Sequence, residues 1–258
     1  MALLALAATA GCVVTAVHVD HGLRPGSADE AGLVEKAAER FGATFVGHTV
    51  DIAPGPNLEA RARAARYAVL GADAVTGHTM DDQAETVLLN LMRGGSMSGL
   101  AGMRPDRRPL LALRRAETHE LCRSLGLDVV DDPTNSSPAH RRNRVRAELV
   151  PLLDDIGQRD VVAVLARQAG LWRDDTDLLD ELAAGIDPTD ARAVAAAPIA
   201  LARRAVRRWL GGEHPPDSAT VERVLAVARG EAAACETNDG RRISRHRQHL
   251  SLEGSPLR

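Results

Sequence analysis

The chain has 258 residues, which is enough for one large domain or two modest ones. Hydrophobic residues make up 45% of it and aromatic residues only 2%, so the core must be built mainly from Ala, Val and Leu. The formal charge of −3 excludes a globally basic surface, and any nucleic-acid partner must therefore be recognised by local clusters.

The first part of the chain alternates between predicted helices and strands. In order, these are a helix over residues 2–10 ended by Gly11, a buried strand Cys12–Val19, a helix from Ser27 to about Phe41, a strand Thr44–Val50, a helix Asn57–Leu70 and a short strand Ala74–Gly77. Ser27 and Glu30 form a capping box for the second helix. The alternation predicts an α/β fold, with a Rossmann-like parallel sheet and helices on both faces.

An acid-rich segment, Asp81-Asp82-Gln83-Ala84-Glu85-Thr86, follows the third predicted strand and opens a helix of apolar periodicity. Asp81 or Asp82 can cap this helix, and Glu85 projects from its first turn. Carboxylates at the carboxyl edge of an α/β sheet lie where ligands bind, and they usually meet a metal ion or a positively charged reactant. Acids in a first turn are also favoured by the helix dipole alone, so their meaning depends on the rest of the chain.

A second pattern begins near Pro109. It comprises a predicted helix Glu117–Leu125, a short strand Asp128–Val130, turn chemistry over residues 131–138, and then helices over Gln158–Ala184, Ile199–Leu210 and Asp217–Arg229. A hairpin is indicated around Asp239-Gly240. The last hundred residues are thus expected to form a small all-helical domain, with domain limits at 1–153 and 154–258.

Between these regions lies an arginine cluster, Arg141, Arg142, Arg144 and Arg146. Four guanidinium groups in six residues repel one another unless an anion is near, and arginine is a common phosphate ligand on RNA. Arg142 and Arg146 lie four residues apart and share one helix face, which favours them as site residues. The alternative is a set of surface ion pairs with Asp131 and Asp132.

Cysteine spacing and hydropathy indicate a cytoplasmic protein. Cys12, Cys122 and Cys235 form no Cys-x-x-Cys pair, which argues against a zinc site, an iron–sulfur cluster or a disulfide framework. The apolar opening of the chain is short and lacks the positive charge of a signal peptide. No stretch approaches the length of a membrane-spanning helix, so we expect no membrane partner.

Four segments in order resemble the tRNA(Ile)-lysidine synthetases, a family of the PP-loop ATP pyrophosphatase superfamily. They are His18-Val19-Asp20-His21-Gly22-Leu23-Arg24, the run from Asn57 to Tyr67, the run from Gly77 to Met103, and Asp132-Pro133-Thr134-Asn135 together with Arg142-Asn143-Arg144-Val145-Arg146 and Pro151. The resemblance covers residues 12–153. It implies an adenine nucleotide alpha hydrolase-like catalytic domain, followed by a helical linker domain that helps to hold tRNA.

The resemblance also implies a two-step reaction. ATP, with Mg²⁺, adenylates the C2 oxygen of the wobble cytidine in a tRNA(Ile) with a CAU anticodon, and the ε-amine of free L-lysine then displaces AMP to give lysidine. A homodimer is a further expectation. The nearest alternative enzyme is a 2-thiocytidine synthetase, which the absence of Cys-x-x-Cys pairs disfavours. A tRNA-binding remnant without catalysis and a plain helical interaction module are alternatives of other classes.

The resemblance assigns candidate roles to residues of this chain. Asp81 and Asp82 are expected to hold Mg²⁺ over the phosphates, or to act with Glu85 on the lysine ammonium and its proton. The expected catalytic set is Asp81, Asp82, Glu85, Arg142 and Arg146. The expected nucleotide contacts are His21, Gly22 and His78. The expected tRNA or lysine contacts are Arg61, Arg66, Arg93, Asn135 and Asn143. For His21, Arg61 and Arg66, a loop histidine and a solvated helix face are equally good interpretations.

The sequence departs from the family at its start. The Ser-Gly-Gly-x-Asp-Ser loop, which wraps pyrophosphate with backbone amides, does not occur in it. The helix over residues 2–10 resembles the one that follows this loop. We therefore expect either a misassigned start codon, which we favour, or a true truncation that cannot bind ATP productively. A strand Cys12–Val19 without its neighbour would leave an apolar edge and an unstable chain.

Overall fold

The structure is a computed structural model. It describes residues 1–20, 22, 27–52, 55, 58–71, 73–129, 137, 140–211 and 216–254, without the side chains of residues 27–29 and 58–60. The chain divides into two compact units, Met1–Gly170 and Leu171–Arg258, which we call unit 1 and unit 2. Within the described ranges, no helix combines the length and apolarity needed to cross a bilayer.

Unit 1 opens with helix α1 (Ala2–Thr9), strand β1 (Thr15–Asp20), helix α2 (Ser27–Arg40) and strand β2 (Thr44–Thr49). β1 and β2 pair in parallel over their whole length, as expected for strands joined by a crossover helix. Leu4 of α1 packs with Ala37 and Ala38 of α2 in one apolar cluster built from aliphatic side chains. Gly11 follows α1 with a φ of +80°, a conformation that glycine adopts at little cost.

The rest of unit 1 is helical in the described residues. Its elements are α3 (Leu58–Val69), α4 (Met80–Met92), α5 (Met97–Leu100), a 3₁₀ turn (Pro105–Arg107), α6 (Arg115–Ser124), α7 (Arg141–Arg144), a π-helical turn (Val145–Leu149), α8 (Val150–Gly157) and the first part of α9 (Val161–Ala184). The predicted parallel sheet flanked by helices is confirmed, and the helices that the periodicity predicts all form.

Two predicted short strands were wrong. Residues 74–77 form no strand, because the N–H of Thr76 donates to the carbonyl of Arg107 rather than to a strand partner. Val75 beside it is 49% exposed and has no burial to stabilise an extended pairing. Residues 128 and 129 are also irregular, and Val129 is 52% exposed. Val130, the end of that predicted strand, lies outside the described residues.

Unit 2 contains the rest of α9 and the helices α10 (Ala191–Ala196), α11 (Ile199–Leu210) and α12 (Ser218–Arg229). It ends in an antiparallel sheet of β3 (Ala234–Glu236), β4 (Arg242–His246) and β5 (His249–Glu253), in that order. The unit is mainly helical, as predicted, and the sheet is an addition to the all-helical expectation. The hairpin indicated at Asp239-Gly240 joins β3 to β4. Ile243 and Leu250 from the sheet pack with α11 and α12 into one apolar core.

Candidate functional site

The start of α4 is fixed by two sets of local contacts. Both the N–H and the hydroxyl of Thr79 donate to Oδ2 of Asp82, each over 2.8 Å, which closes a capping box. One turn further, the N–H of Met103 donates to Oε1 of the buried Gln83 side chain over 2.8 Å, and Gln83 Nε2 donates to the Met103 carbonyl over 3.2 Å. The acid-rich segment is therefore held rigidly.

Glu85 is the centre of an arginine cluster, although only 1% of the residue is exposed. Its Oε1 accepts from Arg146 Nε over 2.8 Å and from Arg115 Nη2 over 3.0 Å. Its Oε2 accepts from Arg142 Nε over 2.8 Å and from Arg146 Nη2 over 3.3 Å. A buried carboxylate is costly unless it is paired and hydrogen-bonded, and three guanidinium groups meet that requirement here.

Asp81 and Asp82 extend the cluster toward the start of α6. The N–H of Arg115 donates to Asp81 Oδ2 over 2.7 Å, and Arg115 Nη2 donates to Asp82 Oδ1 over 2.9 Å. Arg114 contacts both oxygens of Asp81 at 3.3 Å and also pairs with Asp160. We call Asp81, Asp82, Glu85, Arg114, Arg115, Arg142 and Arg146 the acid–arginine cluster.

Arg114 and Arg115 were not predicted as site residues. The sequence holds a signal for them, since both lie just before the predicted helix Glu117–Leu125, at what the structure shows to be the start of α6. Cations at a helix N-terminus are disfavoured by the helix dipole, so two of them there indicate acids from elsewhere in the fold. A nearby acid, Glu117, interacts with the backbone there: its Oε2 accepts from the N–H of Arg114 over 2.6 Å.

Electrostatics favour the charged forms of Asp81, Asp82 and Arg115. Burial alone would raise the pKa of Asp81, but the N–H of Arg115 and the Arg114 guanidinium outweigh it and hold that pKa below its ordinary value. Burial likewise opposes ionisation of Asp82, yet the Thr79 N–H and the Arg115 charge lower its pKa. Desolvation of Arg115 is outweighed by Glu85 and Asp82, which raise its pKa.

His78 lies just before the cluster and behaves differently. Burial lowers the pKa of His78. The charge of Asp82 raises this pKa, and the charges of Arg108, Arg142 and Arg63 lower it further. Its Nδ1 lies 2.7 Å from the hydroxyl of Thr76. His78 is therefore a neutral imidazole at neutral pH, able to exchange a hydrogen bond with an uncharged partner.

The predicted residues divide into three groups. The structure brings together Asp81, Asp82, Glu85, Arg142 and Arg146, with His78 close by. Three others are located by their own elements and local contacts. Arg93 follows the last turn of α4, about 18 Å along the helix from Asp81. Arg61 Nη2 donates to the Gly55 carbonyl over 2.7 Å, and Arg66 lies in the last turn of α3.

Two predicted contacts have local roles, and two cannot be placed. Asn143 Nδ2 donates to the Ser137 carbonyl over 2.9 Å, which fixes the approach to α7. The N–H of Gly22, with a φ of +60°, donates to Asp20 Oδ1 over 2.9 Å at the carboxyl end of β1. His21 and Asn135 lie outside the described residues.

The acids do not present the oxygen ligands that Mg²⁺ needs. Every carboxylate oxygen of Asp81, Asp82 and Glu85 accepts at least one hydrogen bond from an arginine, a backbone N–H or a threonine. Elsewhere in the described chain, no group of three His, Cys, Asp or Glu side chains is placed to hold a metal ion. The predicted Mg²⁺ ligands Asp81 and Asp82 thus do not fit that ion in this arrangement.

The same geometry suits an anionic ligand. Arg114, Arg142 and Arg146 have side chains that are 34%, 33% and 34% exposed, while Glu85 beneath the latter two is 2% exposed. The carboxylates thus hold guanidinium groups whose remaining N–H donors face outward. Forked donors of this kind match phosphate oxygens.

Comparisons with known proteins identify the relatives of this chain. The family profile ATP_bind_3, a PP-loop domain, matches residues 1–153. The tRNA(Ile)-lysidine synthase of Mycobacterium leprae is 44% identical over 80% of this chain and 71% of its own length. That of Mycolicibacterium paratuberculosis is 45% identical over 80% and 70%. A solved structure, the U34-tRNA thiolase NcsA from Methanococcus maripaludis with its [4Fe-4S] cluster, matches with a TM-score of 0.53. It is 16% identical over 67% of this chain and 68% of that one, so it shows the shared fold alone.

Proposed function

The chain belongs to the tRNA(Ile)-lysidine synthase family, and we propose that it joins free lysine to the wobble cytidine of a tRNA(Ile) with a CAU anticodon. Such an enzyme is an ATP-dependent ligase. ATP would supply an adenylyl group and leave as AMP and pyrophosphate. A cytoplasmic location and a homodimer stay predictions, as does a tRNA-binding role for residues 154–258.

The proposed reaction balances in two steps. The cytidine C2 oxygen attacks the α-phosphorus of ATP, an O–P bond forms, and the bond to pyrophosphate breaks. The lysine ε-ammonium then loses one proton to solvent, and its nitrogen attacks C2. The N–C2 bond forms, the C2–O bond breaks so that AMP leaves with the oxygen, and the nitrogen gives up a second proton. Both steps place negative charge on phosphate oxygens, so cations held in a fixed geometry stabilise them.

The observation that carries this proposal is the buried Glu85 with its three arginines. Arg115 comes from α6, Arg142 from α7 and Arg146 from the π-turn, and one carboxylate aligns all three. We assign the arginines to the phosphate groups of ATP and tRNA, and the acids to holding the arginines. This replaces the expectation that Glu85 acts on the lysine amine, because both of its oxygens are already occupied by guanidinium donors.

His78 fits the nucleotide role that the resemblance gives it. A neutral imidazole beside a cationic cluster can bond to an adenine or cytosine edge without adding repulsion. The carboxyl end of β1, with Asp20 and Gly22, lies at the sheet edge where α/β proteins bind nucleotides. These residues support ATP binding by the chain's own groups.

The direct test is incorporation of radiolabelled lysine into a tRNA(Ile) transcript with a CAU anticodon, using ATP and the protein purified from its native cell. We expect label in the tRNA and one AMP released per lysine joined. The same transcript with uridine at the wobble position is the substrate control, and omission of ATP is the energetic control. Tight tRNA binding without lysine-dependent AMP release would reject the proposal and favour the tRNA-binding remnant.

A further inference from the structure

The helical stretch Arg141–Gly157 changes its geometry in the middle. The N–H of Val145 donates to the Arg141 carbonyl, an α-helical bond, whereas the N–H of Val150 donates back five residues to the carbonyl of Val145. Arg142 precedes this π-turn, Arg146 is its second residue, and α8 follows it. Single π-turns inside helices amount to one inserted residue and are frequent at functional sites.

Pro151 supplies a physical cause for the π-turn. It lies two residues beyond Leu149, the last residue of the turn, and has no N–H to donate. In an uninterrupted α-helix, its ring would clash with the carbonyl four residues earlier, that of Ala147. A wider turn moves that carbonyl away, and Pro151 then occupies the first turn of α8, where proline is tolerated.

Burial shows that the turn shifts the phase of the helix. In a regular α-helix, Leu152 and Ile156 would lie within about 20° of Val145, seven and eleven residues earlier. Val145 is 4% exposed, yet Leu152 is 52% and Ile156 is 71% exposed. The half after the turn thus buries a different face from the half before it, which is what one inserted residue between them predicts.

Both halves of this helix are anchored. The first half is held by Arg142 and Arg146 on Glu85. The second half is held by Asp154, whose Oδ1 accepts from the N–H of Val161 over 2.7 Å and whose carbonyl accepts from the N–H of Arg159. A return to a regular α-helix would therefore rotate one of these halves about the helix axis. The rotation is about 100°, the angle between successive residues.

We propose that Pro151 is a positioning residue for the proposed lysidine-forming site, on which this inference rests. By maintaining the π-turn, it keeps Arg142 and Arg146 in phase with Glu85 while α8 stays anchored through Asp154. Without the ring, the turn closes to α-helix and the two arginines leave the carboxylate. The effect is on orientation, since Pro151 itself contacts no reacting group.

The test compares three chains. Pro151→Ala removes the ring, and we expect kcat for lysine incorporation to fall about 100-fold with KM for lysine unchanged, as for other misplaced catalytic groups. Pro151→Ala with Ala147 deleted removes the inserted residue as well, so a regular α-helix keeps both halves in phase, and we expect the rate to return. Pro105→Ala, at the start of the 3₁₀ turn, is the matched control and should keep the rate of the unaltered chain.

A readout independent of activity separates this inference from the proposed function. The Nε–H groups of Arg142 and Arg146 should give slowly exchanging signals in ¹⁵N-edited NMR, because both donate to the buried Glu85. We expect Pro151→Ala to lose this protection and the deletion variant to regain it. If the unaltered chain shows protected signals but joins no lysine, the proposed function fails and these signals alone decide the role of Pro151.

Every outcome of these experiments either supports or overturns the role of Pro151. A Pro151→Ala chain that keeps both protected signals and the full rate overturns the inference. So does a deletion variant that folds, by its circular dichroism and melting temperature, without regaining them. A Pro151→Ala chain that is merely unfolded would be exposed by its melting temperature, and the recovery or failure of the deletion variant then gives the answer.

Discussion

The two units of this protein bury different kinds of side chain. Unit 2 encloses one apolar cluster drawn from three helices and its small sheet, with Val224, Leu225, Ile243 and Leu250 at most 1% exposed. The apolar clusters of unit 1 are smaller, and among the residues that the structure describes there, the most buried charged side chain is Glu85. Apolar cores stabilise a fold without regard to chemistry, whereas a buried acid with three arginines is costly to desolvate. The contrast marks unit 1 as the unit shaped by function.

Replacing the buried acid gives the largest expected effect. Glu85→Gln leaves Arg115, Arg142 and Arg146 facing a neutral amide, so we expect a loss of about 3 kcal/mol in the free energy of unfolding. Lysine incorporation should fall about 100-fold as the arginines lose their alignment. Denaturant titration and the labelled-lysine assay measure the two effects. Glu120→Gln, which removes an exposed partner of Arg123, is the matched control, and an equal loss there would refute the role of burial.

Removing a side chain from the apolar core of unit 2 should lower the free energy of unfolding by a similar amount. It should leave the contacts of the acid–arginine cluster unchanged. Leu225→Ala is expected to lower the free energy of unfolding by about 3 kcal/mol through lost burial and a residual cavity. Fluorescence of Trp209, which packs against this core, reports the transition in a Trp172→Phe background. Leu178→Ala, at a side chain that is 56% exposed, is the control. Loss of the protected arginine signals in folded Leu225→Ala would contradict the contrast between the units.

A backbone position beside α4 gives a smaller expected effect. Gly102 has a φ of +63°, and a Cβ there would lie 2.7 Å from Oε1 of Gln83. Gly102→Ala should therefore cost about 1–3 kcal/mol by straining the turn that Gln83 holds. Gly32→Ala, inside α2 with open space around it, should instead stabilise by about 0.5–1 kcal/mol. Thermal unfolding of both variants compares them, and equal shifts would show that the Gln83 contact is unimportant.

The pH dependence of the free energy of unfolding tests the burial of His78. Its pKa is lowered by burial in the folded chain, so the unfolded chain binds the proton first as pH falls. Stability should therefore decline as pH falls below about 6.5, and His78→Gln should flatten that decline. The lowered pKa values of Asp81 and Asp82 act only at more acidic pH, where their contribution is lost. Urea unfolding at several pH values measures this decline, and His119→Gln, at an exposed histidine, is the control. If His78→Gln leaves the pH dependence of the free energy of unfolding unchanged, His78 has no part in it.

The smallest effect is expected for an ion pair of unit 2. Arg203 and Glu222 are 51% and 46% exposed, so their coupling should be less than about 1 kcal/mol in a double-mutant cycle to alanine. Raising the salt concentration should weaken it further. A coupling as large as that of Glu85 with Arg146 would remove the distinction between exposed and buried pairs.

The sequence predicted what local patterns determine. Helical periodicity located α9, α11 and α12, and the spacing of Arg142 and Arg146 correctly placed both on one face. Arg115 was missed because its acids lie 30 or more residues earlier in the chain, and no local pattern links them. The π-turn was also missed, since its cause at Pro151 and its effect on Leu152 depend on packing at both ends of the helix.

The central claim is that Glu85 holds arginines which act on phosphate groups. Single-turnover lysine incorporation by Arg146→Lys tests it most directly, because lysine keeps the charge and loses the forked donor. We predict a rate about 100-fold lower in a chain that still folds and unfolds cooperatively, as for loss of one oriented donor to a developing charge. A rate equal to that of the unaltered chain would contradict the claim.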